Sequence, residues 1–191
     1  MTGGRFPLSA ATSSSMKTAT TFDFQIRLAT RADVSVILAL IRELAEYERA
    51  PNEVVATEEG LSAALFGEHP AAEVLIGEEN GAPNSFALFF HNFSTWTGRR
   101  GLYLEDLFVR PDARGKGYGQ ALLVRLAAIA EERGCGRMEW AVLDWNEPAI
   151  QFYRKLGAKP NEEWTIFRLT REGISALAEN RSAPASRAPH P

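Results

Sequence analysis

A glycine-rich segment between an apolar run and an amphipathic run is the part of this chain best suited to chemistry. It reads Arg114-Gly115-Lys116-Gly117-Tyr118-Gly119. Residues 102–109 before it are mostly apolar and predict a strand, and residues 120–133 after it carry apolar side chains at helical spacing. Glycines at a helix N-terminus leave backbone N–H groups open to an anion, which the helix dipole also favours. The pattern therefore predicts a loop that holds a pyrophosphate.

Two common nucleotide motifs do not fit this loop. An ATP or GTP loop ends in Gly-Lys-Ser/Thr, whereas Lys116 is followed by Gly117 and Tyr118. The dinucleotide fingerprint requires Gly-x-Gly-x-x-Gly, and the glycines here alternate with single residues. The pattern that fits is Arg-x-x-Gly-x-Gly, at Arg114, Gly117 and Gly119. It resembles the pyrophosphate loop of the GNAT superfamily of acyl-CoA-dependent N-acetyltransferases.

The resemblance extends over roughly residues 24–179. Residues 102–115 are similar to the central strand and loop of that superfamily, and residues 144–158 are similar to its second signature. Three short motifs narrow the match to the spermidine/spermine (diamine) acetyltransferase branch: Tyr-Leu-Glu-Asp at 103–106, Trp-Asn-Glu-Pro at 145–148 and Phe-Tyr at 152–153. Segments near the N-terminus are similar to the same branch, at 26–33, 44–48 and 66–70.

Hydrophobic periodicity predicts eleven elements in the order β-α-α-β-β-β-α-β-α-β followed by a terminal helix. The predicted strands are 22–29, 73–78, 85–93, 102–109, 137–143 and 164–170, and the predicted helices are 33–48, 57–66, 120–133, 146–156 and 172–179. This order agrees with the fold that the resemblance implies. That fold is the α/β GNAT acyl-CoA N-acyltransferase fold, a mixed and mostly antiparallel central sheet flanked by helices.

The resemblance implies that acetyl-CoA is the co-substrate, and no metal is expected. Backbone groups that follow the central strand would contact the pantetheine arm and the acetyl oxygen, the loop would hold the pyrophosphate, and the start of a later helix would line the cofactor. The residues carried over are Leu107, Phe108, Val109, Arg114, Gly115, Lys116, Gly117, Tyr118, Gly119, Gln120, Asn146, Glu147, Pro148 and Ala149.

Acetyl transfer to an amine requires a base and an acid. An alkylamine has a pKa of roughly 10.4 and is charged at pH 7, so a carboxylate must bind the cation and take its proton. The resemblance assigns that role to Glu105, through water. A phenol with a pKa of about 10 can protonate the departing thiolate, and the resemblance favours Tyr153 for this step. From spacing alone, the favoured interpretation of Tyr153 is a half-buried aromatic whose hydroxyl reaches water; the match at Phe152-Tyr153 reverses that preference.

Acidic residues in the regions that the family uses for its amine predict a cationic substrate. The residues carried over are Tyr47, Glu48, Glu105, Asp106, Glu139, Trp140 and Ala141. Adjacent strand residues point to opposite faces, so only one of Glu105 and Asp106 can enter a given cleft. The alternative for Glu46 and Glu48 is an ordinary solvated helix end.

The predicted function is transfer of acetyl to a primary amine of a small polyamine or diamine, directly within a ternary complex. Thialysine, an amino acid or a protein lysine are alternative acceptors, and a non-catalytic acyl-CoA or polyamine sensor is the alternative outside enzymes. Leu156 and Glu46 each stand where the family carries a basic residue, which leaves the acceptor open. An amino-acid acceptor would need a cation for its carboxylate, and the sequence singles out none.

Composition and charge limit the remaining classes of function. The chain has 191 residues and a net charge of −3, which argues against a general nucleic-acid surface, and no apolar run is long enough to span a membrane. The single cysteine, Cys135, has no neighbouring base and is expected to be structural, and the three histidines show no metal spacing.

The ends of the chain differ from its middle. Residues 1–22 contain no Asp or Glu and predict a disordered leader, residues 23–180 form the acetyltransferase domain, and residues 181–191 predict a flexible tail. The resemblance also implies a homodimer, and the expected location is cytoplasmic.

Overall fold

The computed structural model describes residues 23–179, which divide into two compact units at Ala141 and Val142. The predicted leader at 1–22 and tail at 181–191 lie outside the described residues. The first unit contains β1 (Phe24–Leu28), α1 (Val34–Tyr47), α2 (Glu58–Phe66), β2 (Glu73–Glu79), β3 (Ala82–Ser94), β4 (Arg99–Val109), α3 (Tyr118–Glu132) and β5 (Met138–Trp140). The second contains α4 (Glu147–Lys155) and α5 (Arg171–Glu179).

The first unit is built on one mixed sheet whose strands follow chain order, β1-β2-β3-β4-β5. The first four strands pair antiparallel, and β5 pairs parallel to β4. A parallel neighbour needs a crossover connection, and α3 with the loop before it supplies one. This is the mixed, mostly antiparallel α/β architecture that the sequence predicted.

α1 packs on one face of the sheet because its apolar side chains recur every three or four residues. Ile37, Leu40 and Leu44 are buried against Phe86 of β3 and Phe108 of β4. An ion pair also ties α1 to the end of β4: Arg110 donates from Nε and Nη2 to Glu43, with a shortest distance of 2.6 Å. Glu43 lies one turn before Tyr47, so this pairing fixes the end of α1 beside β4.

β4 carries one extra residue at Glu105. Leu88 of β3 pairs with Asp106 and the next residue, Phe89, pairs with Leu104, so Glu105 has no partner in the register. Such a two-against-one arrangement is a β-bulge, which bends the strand and increases its local twist. Pairing with β5 also ends at Leu104 and Trp140, immediately before the bulge.

Two predicted strands differ from the structure. The strand predicted at 137–143 is only Met138–Trp140, because β5 loses its partner where β4 bulges. The strand predicted at 164–170 is wrong: in the described residues this segment forms no strand, and Trp164, Ile166 and Phe167 are exposed. Alternating apolar residues predict a strand only where a sheet edge pairs with them, and this segment pairs with no strand among residues 23–179.

Candidate active site

The bulge decides which face of the sheet receives each of the two adjacent carboxylates. Cross-strand partners lie on the same face, so Asp106 shares the face of its partner Leu88, which packs against the core under α1. Phe108 lies two residues further along the same face and is buried there. Glu105 is the bulged residue and its side chain is exposed. The structure thus separates a half-buried carboxylate on the α1 face from an exposed one at the bend of the strand.

Asp106 lies near Glu48, which immediately follows α1, and its pKa is raised. Burial raises the pKa of Asp106 to about 6, and the nearby charges of Glu105 and Glu48 add to the shift. Burial also raises the pKa of Glu48, which immediately follows α1 and is half-buried. Glu46, by contrast, is exposed, as expected for a solvated helix end. A cation bound at this corner would lower both raised pKa values.

Arg114 reaches the end of α1 from the loop after β4. Its Nε donates to the carbonyl oxygen of Val109 at 2.9 Å. Its guanidinium carbon lies 4.6 Å from the centre of the Tyr47 ring and 5.7 Å from that of Phe108. The side chain therefore contacts the end of α1 and the end of β4. Its position was not foreseen, because the sequence placed Arg114 only in a phosphate loop.

The backbone of the glycine-rich loop has the form expected of an anion cradle. Gly115 and Gly117 have φ values of 77° and 87°, in the left-handed region that favours glycine. A Cβ built on either would meet no atom within 4 Å, so the loop is open on that side. α3 begins directly after Gly117, and the amides of Gly117 to Gln120 donate to no backbone carbonyl among the described residues. These amides at a helix N-terminus suit a pyrophosphate.

The other cation of the loop is already paired. Lys116 Nζ lies 2.8 Å and 2.9 Å from the two carboxylate oxygens of Glu79, at the end of β2. The buried Tyr118 stacks on Phe24 of β1, with ring centres 3.8 Å apart and an interplanar angle of 2°. Lys116 and Tyr118 therefore hold the loop against β1 and β2 through their side chains. Any contact that they make with a pyrophosphate falls to their backbone.

The three substrate residues predicted at β5 differ in exposure and in whether their side chains are already paired. Glu139 Oε2 accepts from Arg137 Nε at 2.9 Å and from Asn92 Nδ2 at 3.0 Å. Glu139 pairs in register with Tyr103 of β4, next to a half-buried Trp140. Ala141 is exposed and lies just beyond the strand. A neighbouring arginine thus offsets the charge of Glu139, whereas Asp106 and Glu48 take part in no ion pair among residues 23–179.

The remaining predicted residues belong to the second unit. Asn146 caps α4, at the start of the predicted helix 146–156: its side-chain oxygen accepts from the amide of Ala149 at 3.4 Å. Glu147 and Pro148 form the first turn of α4, and Tyr153 lies in its last turns with its side chain half-buried. Tyr153 follows Asn146 by seven residues, so the two share one side of the helix. The cofactor-binding role of the start of α4 and the catalytic role of Tyr153 stay predictions.

The sequence analysis missed Glu79, which neutralises Lys116 and contacts Tyr118. Glu79 ends β2 at an Asn-Gly turn and precedes Lys116 by 37 residues, and no short-range pattern links the two. Among residues 23–179, no cluster of His, Cys, Asp and Glu side chains is arranged to hold a metal ion. No helix in the same range is long and apolar enough to cross a membrane.

Similar proteins agree with this architecture. A thialysine N-epsilon-acetyltransferase of Sus scrofa is 40% identical over 164 residues, covering 80% of this chain and 96% of that protein. A human spermidine/spermine N(1)-acetyltransferase-like protein 1 is 35% identical over 165 residues, covering 81% of this chain but 24% of that protein. The solved structure of an integron cassette protein from V. cholerae superposes with a TM-score of 0.70 at 28% identity, covering 82% of this chain and 98% of its own.

Residues 38–158 match the Acetyltransferase (GNAT) family. This match spans more than half of the chain, and it includes β4, the glycine-rich loop, α3 and α4. Members of this family use acetyl-CoA as co-substrate, and the open amides of the loop fit the pyrophosphate of that molecule. With the sheet, the bulge and the loop in place, the chain belongs to the GNAT family of N-acetyltransferases.

Proposed function

We propose that this enzyme acetylates the terminal primary amine of a small aliphatic acceptor that carries a second positive charge. The observation that carries this proposal is the corner formed by Glu48, Glu105 and Asp106. Burial, with the charges of Glu105 and Glu48, raises the pKa of Asp106 there to about 6, and none of the three carboxylates forms an ion pair among residues 23–179. Binding of a cation to such a corner is electrostatically favourable, whereas binding of a neutral amine brings little electrostatic stabilisation. Diamines and polyamines satisfy this requirement, as the sequence predicted.

The thialysine-named relative favours a second candidate acceptor at least as strongly. Thialysine is an amino acid with a primary amine at the end of its side chain and an ammonium group at its α-carbon. It therefore presents two charged nitrogens, as a diamine does, and adds a carboxylate. Both candidates use the same reaction and differ in whether the site must accommodate an anion.

In the proposed reaction, acetyl-CoA supplies a thioester whose acetyl carbon is open to attack. Glu105, at the bend of β4, takes the proton of the acceptor ammonium through water and leaves a neutral nitrogen. Asp106 and Glu48 hold the second positive charge of the acceptor. The neutral nitrogen attacks the acetyl carbonyl carbon and forms the C–N bond, and collapse of the intermediate breaks the C–S bond. Tyr153 donates its phenolic proton to the departing thiolate, and the phenolate then takes the second proton that the nitrogen must lose. The loop amides from Gly115 to Gln120 orient the cofactor through its pyrophosphate.

Direct transfer within a ternary complex is proposed because Cys135 is poorly placed to form an acyl-enzyme. Cys135 is the only cysteine, and it follows the C-terminal end of α3, whereas the glycine-rich loop lies at the N-terminal end. The 15 residues of α3 span about 22 Å. Homodimer assembly and a cytoplasmic location stay predictions from the resemblance.

Free-thiol release from acetyl-CoA tests the proposed function. Putrescine, spermidine, spermine, thialysine and lysine are compared with a no-amine control. Release that depends on any of these acceptors supports the proposal, and its rank order separates polyamines from amino acids. Binding of acetyl-CoA without release in the presence of any acceptor would contradict the proposal and favour the non-catalytic sensor.

Glu105→Gln should lower kcat by about 100-fold at pH 7, within the range of lost general-base catalysis. The loss should shrink as the pH rises toward 9, because more of the acceptor is then already deprotonated. Initial rates from pH 6 to pH 9 measure this dependence. Glu131→Gln, on an exposed face of α3, is the matched control. A loss of the same size at every pH would assign Glu105 to binding alone.

Tyr153→Phe should lower kcat by about 100-fold and leave the Kd for acetyl-CoA nearly unchanged, because only the proton donor is removed. Single-turnover rates and a separate binding titration distinguish the two effects. Tyr103→Phe, which removes a phenol from β4, is the control. Turnover equal to that of the unaltered enzyme would remove Tyr153 as the acid.

Asp106→Asn should stabilise the folded protein at pH 8 by about 2 kcal/mol while weakening the binding of the acceptor. The pKa of Asp106 is raised from 3.8 to about 6, so its ionisation begins to oppose folding above about pH 4 and does so fully above about pH 6. At pH 4 the folded carboxyl is protonated and the unfolded one is partly protonated, so most of the gain should disappear.

Denaturant unfolding at pH 4 and pH 8 measures this gain in stability. Asp112→Asn, an exposed carboxylate in the loop after β4, is the control and should show no such change. A stabilisation by Asp106→Asn of equal size at both pH values would show that it does not come from the charge of Asp106.

A further inference from the structure

A basic cleft lies at the opposite end of α3 from the glycine-rich loop. Its volume is about 600 Å³, and it is bounded by the paired ends of β3 and β4 and by Arg133 and Gly134, which follow α3. The 15 residues of α3 span about 22 Å, so the cleft is distinct from the loop that suits the cofactor pyrophosphate. The proposed reaction uses none of the residues that line it.

Two arginines of the basic cleft have uncompensated charges. Arg99 and Arg100 begin β4 and are exposed, and their side chains form no ion pair or hydrogen bond among residues 23–179. The third arginine, Arg133, is already paired: its Nη1 and Nη2 donate to the two carboxylate oxygens of Glu73 on β2, with 2.8 Å from Nη2 to Oε2. The pair fixes one wall of the cleft and leaves the other two positive charges unopposed.

His91 lines the same cleft and indicates the sign of its electrostatic potential. Leu102 is the cross-strand partner of His91, and Arg100 precedes Leu102 by two residues, so Arg100 and His91 lie on one face of the sheet. Burial lowers the pKa of His91, the charges of Arg133 and Arg100 lower it further, and Glu73 opposes them less strongly. The potential at this imidazole is therefore positive although Glu73 is close by.

The imidazole of His91 also has an unused hydrogen-bonding atom. Its Nε2 is buried and has no hydrogen-bond partner among the described residues. Buried polar atoms in folded proteins nearly always have a partner, so an atom of this kind calls for an explanation. An anion in the basic cleft would supply an acceptor for Nε2 and would offset the charges of Arg99 and Arg100.

The number and arrangement of the donors favour a phosphate group over a carboxylate. One guanidinium is sufficient to bind a carboxylate through two parallel hydrogen bonds, as Arg133 binds Glu73. Two further guanidinium groups and an imidazole suit an anion with more oxygen atoms and more charge. A phosphate monoester has three such oxygens and carries about two negative charges at pH 7.

We propose that the basic cleft is a second anion site, which binds a phosphate monoester through Arg99 and Arg100, with Nε2 of His91 as a third donor. This site goes beyond the proposed function, because it contacts neither the acceptor amine nor the acetyl group. Arg133 contributes by holding the end of α3 against β2 through Glu73.

Calorimetric titration with glycerol 3-phosphate tests the site. Coenzyme A is present throughout at a concentration that fills the glycine-rich loop, so that this loop does not bind the probe. Arg100→Gln should raise the Kd by about 10-fold, and adding Arg99→Gln should raise it about 10-fold more, since each change removes a charge-assisted contact. Arg100→Lys should recover part of the affinity, because it keeps the charge without the planar fork.

Arg42→Gln is the matched control. Arg42 is an exposed arginine of α1 that has no ion pair among the described residues, and it does not line the cleft. Its replacement changes the net charge by the same amount and should leave the Kd within about twofold of the original. Thermal unfolding of each variant shows whether it is folded.

The role of His91 has a separate readout. Sulfate keeps two negative charges between pH 6 and pH 8, so any change in its affinity over this range comes from the protein. A bound anion raises the pKa of His91, and the Kd for sulfate should therefore fall as the pH is lowered. In His91→Gln, which does not titrate, this dependence should disappear. Equal pH dependence in both proteins would overturn the role given to His91.

The same phosphate chemistry could be presented by a soluble metabolite or by a lipid headgroup. Sedimentation with phosphatidylcholine vesicles, with and without phosphatidic acid, separates the two sources. Binding of glycerol 3-phosphate supports a soluble ligand, and binding only to vesicles with phosphatidic acid, lost in Arg100→Gln, supports a lipid. An affinity unchanged in Arg100→Gln, or lowered equally in Arg42→Gln, would overturn the site, and so would the absence of binding to both probes.

Discussion

The single residue that β4 inserts at Glu105 controls the geometry on which the rest of the site depends. Without it, side chains would alternate regularly along β4, and Glu105 and Asp106 would point to opposite faces of the sheet. With it, Asp106 and Phe108 share the face under α1, Glu105 lies exposed at the bend, and pairing with β5 stops at Leu104. One irregular residue therefore sets the direction of two carboxylates and the point at which two strands part.

The carboxylates at this bend oppose the stability of the fold. Asp106 is half-buried beside Glu48 and Glu105, and its raised pKa measures the cost of keeping it charged. Elsewhere in the first unit buried or half-buried acids have partners: Arg27 pairs with Asp33 at 2.7 Å, and Arg110 pairs with Glu43. A bound cation would supply the missing partner. The contrast between these paired acids and the unpaired corner supports the proposal that the corner binds a cation.

In the loop after β4, the backbone and the side chains have different roles. Its glycines leave the amides at the start of α3 open, and backbone amides in this position suit an anion such as a pyrophosphate. Lys116 and Tyr118 use their side chains to attach the loop to β1 and β2. Arg114 extends to the end of α1 instead. The open amides therefore suit an anion, while the side chains fix the position of the loop against the sheet and the end of α1.

Local patterns in the sequence were sufficient to predict most of the elements and the loop. The helical spacing of Ile37, Leu40 and Leu44 predicted α1 and its buried face, and the cap at Asn146 predicted the start of α4. Glycine at positions 115 and 117 predicted a turn with positive φ. These predictions succeed because each depends on residues within a few positions of one another.

Long-range contacts decided what the sequence left open. The alternating residues at 164–170 found no strand to pair with, so their intrinsic preference had no effect. Lys116 pairs with Glu79, 37 residues earlier in the chain, so its charge is compensated. Arg114 lies over the ring of Tyr47, at the end of α1. The bulge arose from the register between β3 and β4. The sequence by itself determined the family and the chemistry; the tertiary structure decided which charges stay uncompensated, because charge pairing depends on separation in space and not on separation along the chain.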